Sequence, residues 1–442
     1  MTRAGTVAYV VKGYPRLSET FIASEIYRVE QAGVPVRLYV LKPFEQHERA
    51  APHSVVGRIR AQPVYLPATS PLSGVSRLRW LARNASPFLP ALRRTARRRP
   101  RGLVQAGAAA LLDAVRARRL WWSLPRKVFL REFLLGAALA DRLLEAGDVR
   151  HLHAHFAHGT TTVTWYASRI TGVPFSFTGH ARDIYTEKLN PGGLLRRKIR
   201  AARFVVTCTE ANRRHLQQIG EGETVHRVYH GLNVDFAQIL DEAGPVPGRN
   251  GRFRVLAVGR LVEKKGFDVL VEAIALLAER GVPVEAAIVG HAAPLEPEVG
   301  PRLERAISKL GLDGRVRLVG SMSQAQLFDE YRRASAFCLP CRVAGSGDRD
   351  GIPNVLVEAM ACAVPVVSTN VSGIPELVIP DVNGLLVPPD DPAAVARALQ
   401  RLYGDLELAD RLGREAVATV RRRFDGDGLA ADLAALFREA TA

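Results

Sequence analysis

A rhythm repeated in both halves of the chain constrains its fold more than any other feature. Short apolar runs, rich in β-branched residues, end in glycine or polar residues and lead into helical stretches. In the first half these runs are 6–11, 36–41, 174–179 and 204–209; in the second they are 253–259, 286–290, 316–320, 336–340 and 364–369. Runs this short and this uniformly apolar read as strands buried on both faces, the mark of a parallel sheet. Strand–helix alternation in each half predicts two doubly wound α/β domains of the Rossmann-like kind. The break between them falls in 244–251, dense in glycine and proline.

The 442 residues allow two or three domains, and the 47% hydrophobic content is ample for two cores. Four cysteines, Cys208, Cys338, Cys341 and Cys362, lie in or beside apolar segments, so no disulfide framework is expected. Cys338 and Cys341 have a redox spacing but lead into a glycine-rich loop instead of a helix, and are expected to be inert thiols. No signal-like segment opens the chain, and no apolar run reaches the roughly 18 residues of a membrane span. A cytoplasmic protein is expected.

The net charge is +17, compatible with nucleic acid, anionic lipid or anionic small substrates as partners. Between about 70 and 147 the alternation lapses. Arg93, Arg94, Arg97, Arg98, Arg99 and Arg101 crowd together, and Arg116, Arg118 and Arg119 precede Leu120, Trp121 and Trp122. Basic residues interleaved with aromatic and aliphatic ones suggest a face for an anionic membrane, at the inner side of the cytoplasmic membrane. No nucleic-acid motif accompanies the charge, so nucleic acid is not expected.

The chemistry concentrates in 342–368. Asp350 and Glu358 are separated by seven residues, with Gly351 and Pro353 as loop punctuation and a helix beginning at Asn354, the expected N-cap. Asp350 would then stand before a helix N-terminus and Glu358 about one turn inside. Such a unit suits a polyhydroxylated, anionic ligand: carboxylates accept from hydroxyls, and a helix start attracts negative charge.

The string DGIPNVLVEAMA, followed by VPVVST and GIPEL, resembles the retaining glycosyltransferases of family four. That resemblance implies the GT-B fold, with two Rossmann-like domains facing across a cleft and a last helix crossing back onto the first. It implies domains at 1–240 and 241–420, with 421–442 as the returning helix. It also implies that Asp350 and the backbone amides of Gly351, Ile352, Asn354 and Val355 meet the donor sugar, while Glu358 binds the ribose. Asp350 stands where the family more often has Glu. The phrase YPRLSETFI resembles the subgroup acting in capsule and exopolysaccharide assembly.

Other stretches extend the picture. Gly13, after the first strand, would let the backbone approach a ligand at the carboxyl end of the sheet; Ser18 and Glu19 are the expected N-cap and first turn of the next helix. The run HLHAHFAH puts His151, His153 and His155 on one strand face, where packing accounts for them and no metal is assigned. His180, past the strand 174–179, matches a family histidine that contacts the donor sugar, with Asp183 nearby. Arg260 and Lys265, followed by Gly266, match the family's diphosphate clamp; a helix N-terminus with two cations suits a diphosphate. Lys264 beside them is expected to face solvent. Asp348-Arg-Asp350 imitates a metal-binding Asp-x-Asp motif of another glycosyltransferase fold, but the cations already serve the phosphates, so no metal and no cofactor is assigned.

The expected activity is retaining transfer of a sugar from a nucleotide diphosphate sugar, with UDP-hexose first and GDP-mannose second. The acceptor is a glycan or a lipid-linked oligosaccharide. The rivals are another GT-B enzyme, such as a phosphorylase or epimerase, and a basic membrane- or nucleic-acid-binding protein on the same scaffold.

Overall fold

The computed structural model describes residues 5–16, 20–42, 54–118, 122–234, 236–237 and 253–442. Ser18, Glu19, the residues Arg119 to Trp121 and the 244–251 linker lie outside the described residues. Contacts divide the chain into two compact units. One comprises Met1–Cys208, Asn212–Val228 and Asp427–Ala442; the other comprises Thr209–Ala211 and Tyr229–Gly426.

The first unit is built on a seven-stranded parallel sheet. Its strands are β1 (Thr6–Val11), β2 (Val36–Val40), β3 (Pro63–Tyr65), β4 (Val149–His155), β5 (Phe175–Gly179), β6 (Val205–Thr207) and β7 (Val225–Arg227), in the order β3-β2-β1-β4-β5-β6-β7. Val7 to Val10 of β1 are wholly buried, as a central strand with helices on both faces requires. The order reverses between β1 and β4, so the loops leaving these two strands diverge to opposite faces and open a crevice at their carboxyl ends.

The described residues of the 70–147 stretch form four α-helices, Arg77–Asn84, Leu89–Arg98, Pro100–Arg116 and Val128–Ala146. Trp80, Phe88 and Phe129 are buried there in the same core as β1 and β4. Ser76 caps the first of these helices through the backbone N–H of Arg79. The arginines from Arg93 to Arg101 stand exposed, and Arg94 pairs with Asp141 at 2.6 Å.

The last helix, Gly426–Thr441, returns to the first unit. Phe437, wholly buried, meets the rings of Tyr9 and His153 at 5.8 and 5.0 Å, and Arg28 pairs with Asp427 at 2.8 Å.

The second unit has a six-stranded parallel sheet: β8 (Phe253–Val258), β9 (Val284–Val289), β10 (Val316–Gly320), β11 (Ala336–Leu339), β12 (Val366–Thr369) and β13 (Leu385–Val387), ordered β10-β9-β8-β11-β12-β13. Its reversal lies between β8 and β11. No helix among the described residues is long and apolar enough to cross a membrane.

Candidate active site

At the switch point of the second sheet, two loops leave the carboxyl ends of adjacent strands. The loop after β8 carries Gly259 and Arg260, then a tight turn at Glu263–Lys265. Gly266 ends that turn at φ 66°, and a Cβ there would lie 1.9 Å from the carbonyl oxygen of Pro340. Only glycine permits this approach. It seats the turn against the end of β11, where the Arg342 N–H donates to the Lys264 carbonyl at 3.0 Å.

The seating buries both lysines. Lys265 Nζ lies 2.7 Å from Asp350 Oδ2, and Lys264 Nζ lies 3.1 Å from both Asp350 Oδ1 and Asp348 Oδ1. Lys264 is only 6% exposed, so it does not face solvent as the sequence suggested. Adjacent residues of a tight turn can both point inward once the turn is pressed against another loop. Burial opposes ionisation of Asp350, but the two ammonium groups outweigh it and hold the carboxyl far below the usual range. Burial likewise disfavours the Lys264 ammonium, and Asp350 and Asp348 more than offset it, raising its pKa.

Beyond Asp350, the helix Asn354–Ala361 begins after Pro353, which occupies the N-cap position with no side-chain cap. Asn354 is therefore the first helical residue and not the cap. The ring of Pro353 holds φ at −61°, and its ψ of 125° keeps it outside the helix, which starts one residue later. An uncapped start, with Gly351, Ile352, Asn354 and Val355 half-buried around it, suits an external acceptor. One turn in, Glu358 is 8% exposed and accepts from Tyr331 Oη at 3.0 Å. Burial pushes its carboxyl up to about 7, with the tyrosine bond pulling the other way. Arg260 is exposed and has no ion-pair partner among the described residues.

In the first unit, Gly13 follows β1. Its backbone is not left-handed, and an added Cβ would meet only the side chain of Arg16, at 3.3 Å. Internal packing thus makes little demand for glycine here. His180 follows β5 and caps the short helix Ala181–Tyr185 in a capping box with Asp183. Asp183 itself is buried and accepts from the N–H groups of Ala157 and His180. Burial pushes its carboxyl up to about 7. Asp183 thus ties the loop after β4 to the loop after β5.

Sequence reasoning missed Glu25. Its Oε1 lies 2.9 Å from His155 Nε2 and accepts from Tyr9 Oη at 3.0 Å, and His155 Nδ1 lies 3.5 Å from His180 Nε2. The available signal was a carboxylate beside the buried Ile22, Ile26 and Val29 of the helix Thr20–Gln31.

His151 and His153 of the histidine run are held by hydroxyls within the sheet. His151 and His153 share the Ser176 hydroxyl at 2.7 and 2.8 Å, and His153 also reaches Thr178 at 3.0 Å. Burial keeps both imidazoles neutral. None of the four buried cysteines is in a disulfide, and burial raises the Cys341 thiol to about 12, so the Cys338–Cys341 pair has no reactive thiolate.

Solved structures share this architecture along the whole chain. Sucrose-phosphate synthase from Thermosynechococcus elongatus superimposes with a TM-score of 0.69 at 18% identity, covering 98% of each chain. HepE from Anabaena in complex with UDP gives 0.66 at 18% identity, covering 98% of this chain and 100% of that one. The fold is that of the GT-B glycosyltransferases. Two family models match in succession, "Glycosyltransferase Family 4" over 93–236 and "Glycosyl transferases group 1" over 252–405. The putative colanic acid biosynthesis glycosyltransferase WcaL of Escherichia coli K12 is 28% identical over 89% of both chains. The amylovoran biosynthesis glycosyltransferase AmsK of Erwinia amylovora is 41% identical over 34% of this chain and 35% of its own length. The chain belongs to glycosyltransferase family four. It is a glycosyltransferase, with a nucleotide sugar as donor and a glycan as acceptor.

Proposed function

We propose that the chain is a retaining hexosyltransferase of bacterial exopolysaccharide assembly, and that it works at the inner face of the cytoplasmic membrane on a lipid-linked glycan. The observation carrying this reading is the buried cluster of Lys264, Lys265 and Asp350 beside an uncapped helix start, with Arg260 unpaired on the neighbouring loop. Both colanic acid and amylovoran relatives bear exopolysaccharide names, which supports the pathway class. UDP and UDP-glucose in HepE structures support a UDP-hexose donor. GDP-mannose stands second, as in the mycobacterial phosphatidylinositol monomannoside mannosyltransferase, 33% identical over 39% of this chain.

Cleavage of the anomeric C–O bond leaves charge on the diphosphate. Arg260 and Lys265 hold that charge, a stabilisation greater in the transition state than in the ground state. Lys264 keeps Asp350 ionised and correctly placed when Lys265 turns to the phosphates. Asp350 and the amides of Gly351, Ile352, Asn354 and Val355 then accept from and donate to the sugar hydroxyls. Glu358, ionised on binding, takes the ribose hydroxyls. Gly13 leaves room for the phosphates, and His180 is assigned a hydroxyl of the transferred sugar. The acceptor oxygen attacks from the face the diphosphate leaves, and the leaving phosphate oxygen takes its proton. No carboxylate nucleophile of the retaining-glycosidase kind is invoked.

The test is incubation with a panel of nucleotide sugars and glycan acceptors, recording which nucleoside diphosphate appears and the anomeric configuration of the product. UDP release with retention supports the reading. An inverted product removes the front-face step, and GDP release replaces the donor.

A further inference from the structure

The helix Thr20–Gln31 buries Ile22, Ile26 and Val29, and position 25 lies on the same stripe, one turn from Ile22 and one from Val29. That position holds an acid. Glu25 is 14% exposed, and a carboxylate among apolar neighbours is costly unless its oxygens are hydrogen-bonded. Its Oε1 accepts from Tyr9 of β1 and lies against Nε2 of His155, the wholly buried last residue of β4. A purely structural acid would need no more than these two partners. Here the contacts continue, from His155 Nδ1 to His180 Nε2 on the loop leaving β5.

The chemistry at the buried end sets the direction of these hydrogen bonds. Burial, and after it Glu25, holds the Tyr9 phenol well above its usual range, so Tyr9 donates. A carboxylate only accepts, so His155 presents its Nε2 hydrogen to Glu25. Neutral His155 then carries a lone pair on Nδ1, and a hydrogen on His180 Nε2 completes the next contact. The two rings are 23° from parallel. Their centroids, at 5.7 Å, are well beyond the 3.5 Å between the facing nitrogens, so the rings meet end to end and not face to face.

A second observation marks the same spot. Phe156, next after His155, takes φ 73°, a left-handed conformation unfavourable for a bulky residue. Backbone strain of this kind collects where a side chain has to be placed. The Phe156 ring lies 4.7 Å from the His180 ring, and Phe21, from the helix that carries Glu25, lies 5.2 Å from it. Aromatic contacts therefore hold the plane of His180 while the hydrogen bonds hold its end.

Glu25, His153 and His155 also offer ligand atoms within 4.8 Å of one another, the makings of a metal centre. Hydroxyls of Ser176 and Thr178 engage both ring nitrogens of His153, however, and Glu25 takes hydrogens from Tyr9 and His155. The three side chains are arranged for hydrogen bonding.

We propose that Glu25 is a positioning residue for sugar transfer: through His155 it fixes the orientation of the His180 ring and places its proton on Nε2, so that His180 reaches the transferred sugar with donor and acceptor already assigned. The inference rests on the assignment of His180 to the sugar and adds the groups that hold it there.

Imidazole nitrogen NMR on the full chain, labelled at histidine, reads the tautomer directly, with His180 assigned by the signals lost in His180→Ala. A proton on His180 Nε2 is expected in the unaltered protein, and a mixture of tautomers in Glu25→Ala. A proton on His180 Nδ1 in the unaltered protein, or an unchanged His180 spectrum in Glu25→Ala, overturns the proposal. Kinetics give a second reading. Glu25→Ala is expected to lower kcat about tenfold or more, since misplacement at the reacting sugar costs up to about a hundredfold. The rise in melting temperature produced by UDP, which lacks the sugar, should be retained. Combining Glu25→Ala with His180→Ala should cost no more than His180→Ala alone. A parent-like kcat in Glu25→Ala, or losses that multiply, refutes the positioning role. Stoichiometric zinc in the purified protein refutes it as well, in favour of a metal centre. A full rate in His180→Ala overturns it by removing the sugar contact, and leaves the clamp of Arg260 and Lys265 untouched. Failure of the unaltered protein to release a nucleoside diphosphate from any nucleotide sugar would instead sink the transferase reading, so the two failures are told apart.

Discussion

Both units bury charge, but they do so to different ends. In the first unit Lys198 is wholly buried and donates to the Ala157 carbonyl at 2.8 Å and to Asn190 at 3.0 Å. Asp113, 1% exposed, takes Arg197 and the Tyr166 hydroxyl. Asp183 closes two backbone N–H groups. Each group is satisfied from within, and the network stitches loops to helices. In the second unit the charges end at an uncapped helix start and beside an unpaired Arg260. A satisfied network rigidifies the scaffold; one that stops short leaves hydrogen-bonding capacity for a ligand. The difference is not in residue type, since lysine and aspartate serve both, but in whether partners from within the unit complete the set.

The contrast can be broken at its strongest point first. Lys198→Ala leaves buried carboxyl groups without their cation and should cost about 3–5 kcal/mol of stability, seen as a large fall in melting temperature. A melting temperature within a degree or so of the parent would remove Lys198 from the scaffold.

The corresponding change in the second unit should act on turnover. Lys265→Ala is expected to lower kcat by about 2 kcal/mol or more of transition-state stabilisation, with a smaller loss of stability because Lys264 still holds Asp350. A parent-like kcat would show that the diphosphate does not depend on it.

Glu358 sharpens the comparison through pH. Its carboxyl is raised to about 7 in the free protein, so this group's contribution to stability is complete below the ordinary carboxylate value of about 4.3 and is lost as pH rises through 7. Nucleotide binding runs the opposite way, because ribose hydroxyls need the carboxylate. Affinity should rise between about pH 6 and pH 8, and Glu358→Gln should flatten that rise while weakening binding by about 1.5–3 kcal/mol. A titration that keeps its slope in the glutamine variant would assign the pH dependence elsewhere.

The smallest effect is expected from EDTA. With Arg260 and Lys265 on the phosphates, chelation should leave the rate within error. A strict requirement for added Mg²⁺ or Mn²⁺ would overturn the cation-only clamp.

Much of this molecule was legible in one dimension. Buried parallel strands are uniformly apolar, and the residues that end them are polar, so β1, β8, β10 and β11 could be marked from 6–11, 253–259, 316–320 and 336–340 within a residue or so. The acid pair Asp350 and Glu358 stood out by its spacing along a loop and helix start, which is a local property, and the basic pair Arg260 and Lys265 by its resemblance to the family's motif. The three-residue strands β3 and β7 carry too short a pattern, and their pairing comes from the neighbouring strand.

What only the tertiary structure decided concerns direction and partnership. Lys264 turned inward because Gly266 lets its turn press against Pro340, and that contact joins residues more than seventy positions apart. Asn354 lost the cap to Pro353 through a backbone dihedral that composition does not encode. Glu25 met His155, and His151 and His153 met Ser176, because helix and strands converge on one sheet face. Periodicity tells which residues leave water, since burial follows the local face of an element. It does not tell which polar groups find each other once there, because that depends on distances set by the whole fold.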